Sequence, residues 1–434
     1  MDLSVIGIIV SLAVIVILAL RGLGIAFIGP LAAALVAIFS GMGVFDTLMG
    51  PYMKGFINYA AKFFLIFLFA SIFGKYMEDS GAAKAIAGRL LKAIGHKGPF
   101  YVLFSVALIT MLLTLGGVSM FVVIFTMMPI ALPLFKKMNI PWHLFIAAFI
   151  FGIGSLTMTM IPGSPSIQNI MPTKYLGTTT MAAPTLGIVA SILIMSLNAL
   201  YMNWQLKKAH ARGEGFADSA PSNVAFATDD TDDKVLPPFL LSLVPPAAVV
   251  IALNALKLDA MWALCIGCVV AALCFWKHIA SHFATINAGT TNTAIPIINT
   301  CADVGYGMAV AATSGFKIVT DFLMAIPGPP IVALSLATFI MTGITGSSSG
   351  GMAIVLETLI GKFAAMGLNP EMLHRVVAIS SGTFDAMPHS GATVTALAVS
   401  GLTHRQAYRH VWYGHVVATF LVMLIVIPLA LLLY

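Results

Sequence analysis

The chain has 434 residues, 59% of them hydrophobic and only 9% charged, with a mean hydropathy of +1.00. Soluble domains carry about 25% charged residues, so a water-soluble fold is excluded over most of the length and an all-α polytopic membrane protein is implied. The formal charge of +6 comes from 22 basic and 16 acidic residues scattered between apolar runs. It fits positive loop charge, which favours the cytoplasmic side, and without a basic patch interleaved with aromatics it speaks against nucleic acid as a partner.

About 20 apolar residues cross a bilayer. Residues 3–20 form a first span closed by Arg21; they lack a basic leading segment and a small-residue cleavage site, so they read as a retained span, not a signal peptide. Residues 24–44 and 56–76 are the next two spans, followed by an amphipathic segment, 82–94, with Lys84, Arg89 and Lys92. The apolar run 99–135 is interrupted midway by Thr114-Leu115-Gly116-Gly117-Val118-Ser119 and ends at Lys136-Lys137. A polar, glycine-rich tip inside such a run predicts a re-entrant hairpin; two ordinary spans with a tight turn are the alternative.

Residues 142–161 lead into Pro162-Gly163-Ser164-Pro165-Ser166-Ile167-Gln168-Asn169, and 181–206 close the first half. Proline removes its own N–H and clashes with the carbonyl four residues back, so a helix over about 143–180 is broken there. Residues 207–236 form the one hydrophilic stretch, with Asp229, Asp230, Asp232 and Asp233. It reads as an exposed linker, and Lys207, Lys208, His210 and Arg212 place it on the cytoplasmic side.

Spans 237–256 and 260–276 open the second half, 237–434. Cys265-Ile266-Gly267-Cys268 has a metal-site spacing, but no histidine or second pair stands beside it. With Cys274 and Cys301 these cysteines read as small residues of spanning helices, and no metal or cofactor is expected. Residues 283–312 are rich in threonine and asparagine and hold Asn292, Asn299 and Asp303. A second hairpin, about 328–366, turns at Gly343-Ile344-Thr345-Gly346-Ser347-Ser348-Ser349-Gly350-Gly351 and carries Glu357 on its return arm. A second broken helix spans about 372–400, with Asp385, Pro388, His389, Ser390 and Thr393 at its break, and 411–434 is the last span.

Landmarks recur between the halves. Gly98-Pro99 matches Gly328-Pro329, Gly117 matches Gly346, Pro141 matches Pro370, and Pro162-Gly163-Ser164 matches Pro388-His389-Ser390, at offsets of 226–230 residues. Paired broken segments in corresponding positions point to a secondary transporter and its binding site. Residues 1–206 are then a first repeat and 237–434 a second.

A helix start presents unpaired N–H groups and partial positive charge, so it binds carboxylates. The tips Gly117-Val118-Ser119 and Gly346-Ser347-Ser348-Ser349 add hydroxyl donors to that charge, and two such tips facing two broken helices make a small polar pocket for an organic anion. Asp385 and His389 are four residues apart, on one face of any surviving helix. Ionisable groups at membrane depth usually serve ion or substrate paths, and both are proton-coupling candidates. Glu357, Asp303, Asn292 and Asn299 are secondary, expected to be satisfied by local partners. Gly346-Ser347-Ser348-Ser349-Gly350 also matches G-x-S-x-G, so an intramembrane serine hydrolase using Ser348 and His389 is the alternative of another class. That motif works from a strand-to-helix elbow, which an apolar helical hairpin does not offer, and the chain is read as a carrier, not an enzyme.

The segments LTLGGVSMFVVIFTMMPIALPLFKK, MTGITGSSSGGMAIVLE, IPGSPSIQN and SSGTFDAMPHSGATVTAL together resemble the gluconate permease (GntP) family of the ion transporter superfamily. TFDAMPHSGATVTAL is more like the branch of 3-hydroxybutyrate permeases. The resemblance implies a bacterial inner-membrane symporter for a hydroxy or sugar acid, usually proton-driven, with sodium-coupled members in the superfamily. It further implies two inverted-topology repeats, re-entrant hairpins meeting proline-broken helices, a homodimer and elevator-like movement. On this chain it places substrate contacts at Gly117 and Ser119, at Ser164, Ser166 and Asn169, at Ser347, Ser348 and Ser349, and at His389, Ser390 and Thr393.

Overall fold

The structure, a computed structural model, describes every residue except Met1, Gly22, Gly95, His96, Ser119 and residues 221–234. The first-tip serine and the acidic part of the linker therefore lie outside the described residues. Those described form helices and connecting turns, with no strand among them.

The chain runs through α1 (Leu3–Leu20), α2 (Ile25–Phe39), α3 (Val44–Thr47), α4 (Met53–Asp79) and α5 (Ala82–Ile94). The first hairpin is α6 (Pro99–Leu115) and α7 (Met120–Lys137); α8 (Leu144–Ile150), α9 (Ile167–Ile170) and α10 (Thr173–Leu176) flank the first break. Then come α11 (Pro184–Ala211), α12 (Phe216–Ser219), α13 (Phe239–Asn254), α14 (Ala260–Cys274), α15 (His282–Ala311) and α16 (Ser314–Met324). The second hairpin is α17 (Pro330–Thr345) and α18 (Ser348–Thr358), followed by α19 (Ile360–Ala365). The second broken helix is α20 (Pro370–Ser381) and α21 (Gly391–Val399), and α22 (His404–Val411) and α23 (Ala418–Leu433) end the chain. Leu48–Tyr52, Phe151–Thr157 and Trp412–Val417 are π-helical.

Local chemistry sets the boundaries. Asp2, Asp259, Ser281, Ser347 and Asn369 each accept a backbone N–H at a helix start. Pro99, Pro184, Pro330 and Pro370 sit where their missing N–H costs nothing. Among the described residues four stretches are long and apolar enough to cross a membrane: Val44–Asp79, Pro184–Ala211, His282–Ala311 and His404–Leu433. Within the helices hydroxyls turn back onto their own carbonyls, as Thr338 does to Leu334 (2.8 Å) and Thr342 to Thr338 (2.9 Å). That is how a threonine-rich hairpin satisfies itself away from water.

The centre is α15, packed against α2, α4, α16, α18 and the π-helical turn Leu48–Tyr52. Small residues let these backbones approach. A Cβ at Gly289 would lie 2.7 Å from the Ile72 backbone, and one at Gly305 2.9 Å from the Tyr52 carbonyl. The polar 283–312 region thus becomes one helix with its glycines inward, Asn292 exposed and Asp303 buried.

Gly289→Leu should overpack the α4–α15 seam and cost about 1–3 kcal/mol, lowering the temperature at which the purified protein loses monodispersity. Gly361→Leu, where nothing stands within 4 Å of the new Cβ, should leave that temperature unchanged. Equal behaviour of the two variants would show that the seam is not close-packed.

Candidate functional site

The second tip rests directly on the second break. Helix α17 ends at Gly346 in the left-handed region (φ 60°), and Ser347 then caps α18 by accepting the Gly350 N–H at 3.1 Å. A Cβ at Gly346 would stand 2.9 Å from the His389 ring and 3.0 Å from the Ser390 Cα, so only glycine permits the contact. His389 Nε2–H donates to the Ile344 carbonyl at 3.0 Å, tying tip to break. Ser347 and Ser349 hydroxyls are 3.3 Å apart. The carbonyls freed around Pro388 find donors: His404 reaches Pro388 O (2.8 Å), and Tyr408 and Thr393 reach Ala386 O (3.3 and 3.5 Å).

The first break approaches the same tip through α9. Gln168 Nε2 donates to Ser348 Oγ at 2.7 Å. Ser164 and Ser166 hydroxyls are 2.9 Å apart, and Ser166 donates to Met158 O at 2.7 Å. Asn169 Nδ2 serves Ser164 O and Thr180 O (3.0 and 2.9 Å), while its Oδ1 accepts from His374 Nε2–H at 3.2 Å. Asn254 Nδ2 covers Gly163 O at 2.8 Å. Fully buried Arg375 forks onto Thr180 O (3.0 Å) and Ala182 O (2.8 and 3.0 Å). Helix α20, which leads into the second break, therefore also braces the first. Gln168 Oε1 and Arg375 Nη1 are buried without a partner.

Asp385 and His389 do not form the pair that their spacing suggests. His415 Nε2–H donates to Asp385 Oδ1 (2.7 Å), and Ser155 Oγ–H donates to His415 Nδ1 (2.7 Å). His415 and Ser155 both stand on π-helical stretches, Trp412–Val417 and Phe151–Thr157, where the extra residue per turn re-aims side chains and which recur at functional sites. A second imidazole chain runs from Tyr201 through His410 and His143 to Glu214, with contacts of 3.0, 2.7 and 2.8 Å.

Ser164, Ser166, Asn169, Ser347, Ser348, Ser349, His389, Ser390 and Thr393 thus gather around one tip and two breaks. A Cβ at Gly117 (φ 91°) would meet the ring of Phe73 and a methyl of Leu264 at 3.5–3.8 Å, and Ser119 lies outside the described residues. Glu357 is satisfied, by Lys62 Nζ (2.7 Å) and the Tyr175 hydroxyl (2.5 Å). Asp303 is not: it has no hydrogen bond among the described residues. Ser348 accepts from Gln168 while His389 is engaged with Ile344 O, so the hydrolase pair is not made. Sequence reasoning missed Ser155, Asn254, Gln168, His374, Arg375 and His415 as site residues. The signal for three of them was available: ionisable groups inside apolar runs.

An apolar body, helical over its described residues, with broken helices around buried polar side chains fits a membrane transporter. A profile of the citrate transporter family (CitMHS) matches residues 5–305. The chain is 31% identical to the uncharacterized transporter YxjC of Bacillus subtilis over 451 residues, covering 93% of this chain and 94% of that one. It is 26% identical to an uncharacterized transporter of Haemophilus influenzae over 331 residues, 74% of each. Among solved structures, the Alcanivorax borkumensis YdaH transporter superposes with a TM-score of 0.55 at 15% identity, covering 90% of this chain and 88% of that one. Neisseria gonorrhoeae MtrF, described with a class of antimetabolite efflux pumps, gives 0.50 at 11%, covering 88% and 84%. These two structures share the fold alone. The chain belongs to the citrate transporter family, within the ion transporter superfamily. The finer likeness to gluconate permeases and their 3-hydroxybutyrate branch finds no support in these matches.

Arg375→Lys should not be conservative, because an ammonium cannot reproduce the fork onto two carbonyls. Buried acceptors left bare cost about 1–3 kcal/mol each, so the thermal midpoint of the purified protein should fall. An unchanged midpoint would show that other groups hold the first break.

Proposed function

We propose that this chain is a secondary active symporter that brings a small organic carboxylate across a bacterial inner membrane together with protons. The observation that carries this reading is the convergence of Ser348 with Gln168, and of Ile344 with His389, at 2.7 and 3.0 Å. One hydroxyl-lined helix start is thereby held between two helix breaks. The α18 start offers N–H groups, partial positive charge and the hydroxyls of Ser347–Ser349, a donor set suited to a carboxylate. A single such end favours a hydroxy monocarboxylate such as 3-hydroxybutyrate, or a gluconate-type sugar acid; the family match makes citrate the competing substrate. Residues 1–206 and 237–434 act as two inverted repeats, joined by 207–236, in a homodimer whose hairpin-bearing part moves as an elevator.

Proton coupling is assigned to Asp385 and His389, with Asp385 acting through His415 and His389 positioning the tip. Sodium is the alternative driving ion. Purified protein in proteoliposomes should accumulate one of labelled 3-hydroxybutyrate, gluconate, lactate or citrate under an imposed pH gradient, and not under a sodium gradient at fixed pH. Asp385→Asn should keep downhill exchange and lose accumulation. Accumulation driven by sodium alone would replace the proton, and no uptake of any of the four under either gradient would remove the carboxylate reading.

A further inference from the structure

Asp303 is the one acidic side chain that the site leaves unexplained. It lies on the inner face of α15, 6% exposed, with no hydrogen bond or ion pair among the described residues. A carboxylate taken from water without a partner is strongly disfavoured. Its place is specific: a Cβ built at Gly350 would stand 2.2 Å from Asp303 Oδ2 and 2.8 Å from its Cγ. The carboxyl group therefore covers the first turn of α18, the turn whose Gly350 N–H is capped by Ser347. The helix start that would receive a substrate carboxylate already faces a fixed one.

No cation on the surrounding elements cancels it. The titratable groups within electrostatic reach of Asp303 are the phenols of Tyr52, on the π-helical turn, and Tyr59, on α4, with the Cys301 thiol near the same phenols. Helix α2 carries no ionisable side chain. On α4, Lys62 is taken by Glu357 of α18, and Lys75 by Glu78 and Asp79, while Lys54 is exposed. Lys317 and Asp321 of α16 are exposed. Two negative charges at one helix start inside a protein repel more than in water.

We propose that Asp303 gates the second tip: an anionic substrate binds at Ser347–Ser349 only after a monovalent cation, a proton or sodium, has neutralised the Asp303 carboxylate. Cation first and anion second follows from charge alone, and it forbids loading of the anion by itself. This rests on the carboxylate reading above and adds to it the order of binding and the residue that enforces it.

The test uses full-length protein in proteoliposomes, with whichever of the four labelled carboxylates the wild type accumulates. Wild-type binding should weaken as pH rises if the proton is the cation, or strengthen with added sodium at fixed pH if sodium is. Asp303→Asn carries the neutral shape permanently. Its binding should be indifferent to both, counterflow exchange should persist and so report folding, and accumulation should vanish. A variant that accumulates like the wild type, with the same cation dependence, overturns the proposal. A substrate-free measurement stands beside it: the infrared difference between wild type and Asp303→Asn should contain a carboxyl band that responds to acid or to sodium. No such band under either condition overturns the gate whatever the protein carries. A band present in a protein that takes up none of the four overturns the carboxylate reading, and the anion half of the proposal with it.

Discussion

Backbone carbonyls freed by two proline breaks and buried inside an apolar body, where they must find partners within the protein, dictate most of this structure. Several of the freed acceptors are met by side chains sent from other elements. Asn254 covers Gly163 O, Asn169 covers Ser164 O, and Arg375 takes Thr180 O and Ala182 O. At the second break His404 and Tyr408 do the same for Pro388 O and Ala386 O. The polar residues of the site are therefore first a solution to a solvation problem. Binding can draw on groups left over once that problem is solved: the hydroxyls and N–H groups at the start of α18, and Gln168 Oε1 and Arg375 Nη1, which have no partner among the described residues.

The same accounting suggests where movement is cheapest. The second tip is joined to its surroundings by Gln168–Ser348 and His389–Ile344, each a bond of about 1 kcal/mol net. Sliding α15 off α4 and the π-helical turn Leu48–Tyr52 would instead separate backbones seated at Gly289 and Gly305, with no alternative partner in lipid. Substrate binding can offset the loss of two hydrogen bonds far more readily than the loss of that seam.

Much of the architecture was legible in the sequence. Helices α6, α7, α17 and α18 fall inside the 99–135 and 328–366 stretches read from the sequence, apart from Lys136 and Lys137 at the end of α7. What could not be read was partnership. Arg375, Asn254 and His415 reach carbonyls, carboxylates or hydroxyls 30 to 260 residues away, and no local pattern encodes that. Asp385 and His389 share a face only where a helix survives Pro388; the helix stops at Ser381 and resumes at Gly391, so a spacing of four carried no geometry. Asp303 was expected to find a local partner; its own helix is continuous there, and the Gly350 side of α18 closes over it instead.

Charge placement draws these threads together. No basic side chain pairs with Asp303 among the described residues: Lys62 is taken by Glu357, and Arg375 turns Nε and Nη2 onto backbone carbonyls. An anion arriving at Ser347–Ser349 thus meets hydroxyls and a helix start worth a fraction of a charge, opposed by the full charge of an ionised Asp303. A half-charge cannot outbid a whole one at similar distance. On the carboxylate reading, a coupling cation is therefore not an added source of energy but a condition for binding at all, set by a glycine that lets one carboxylate lie across the start of one helix.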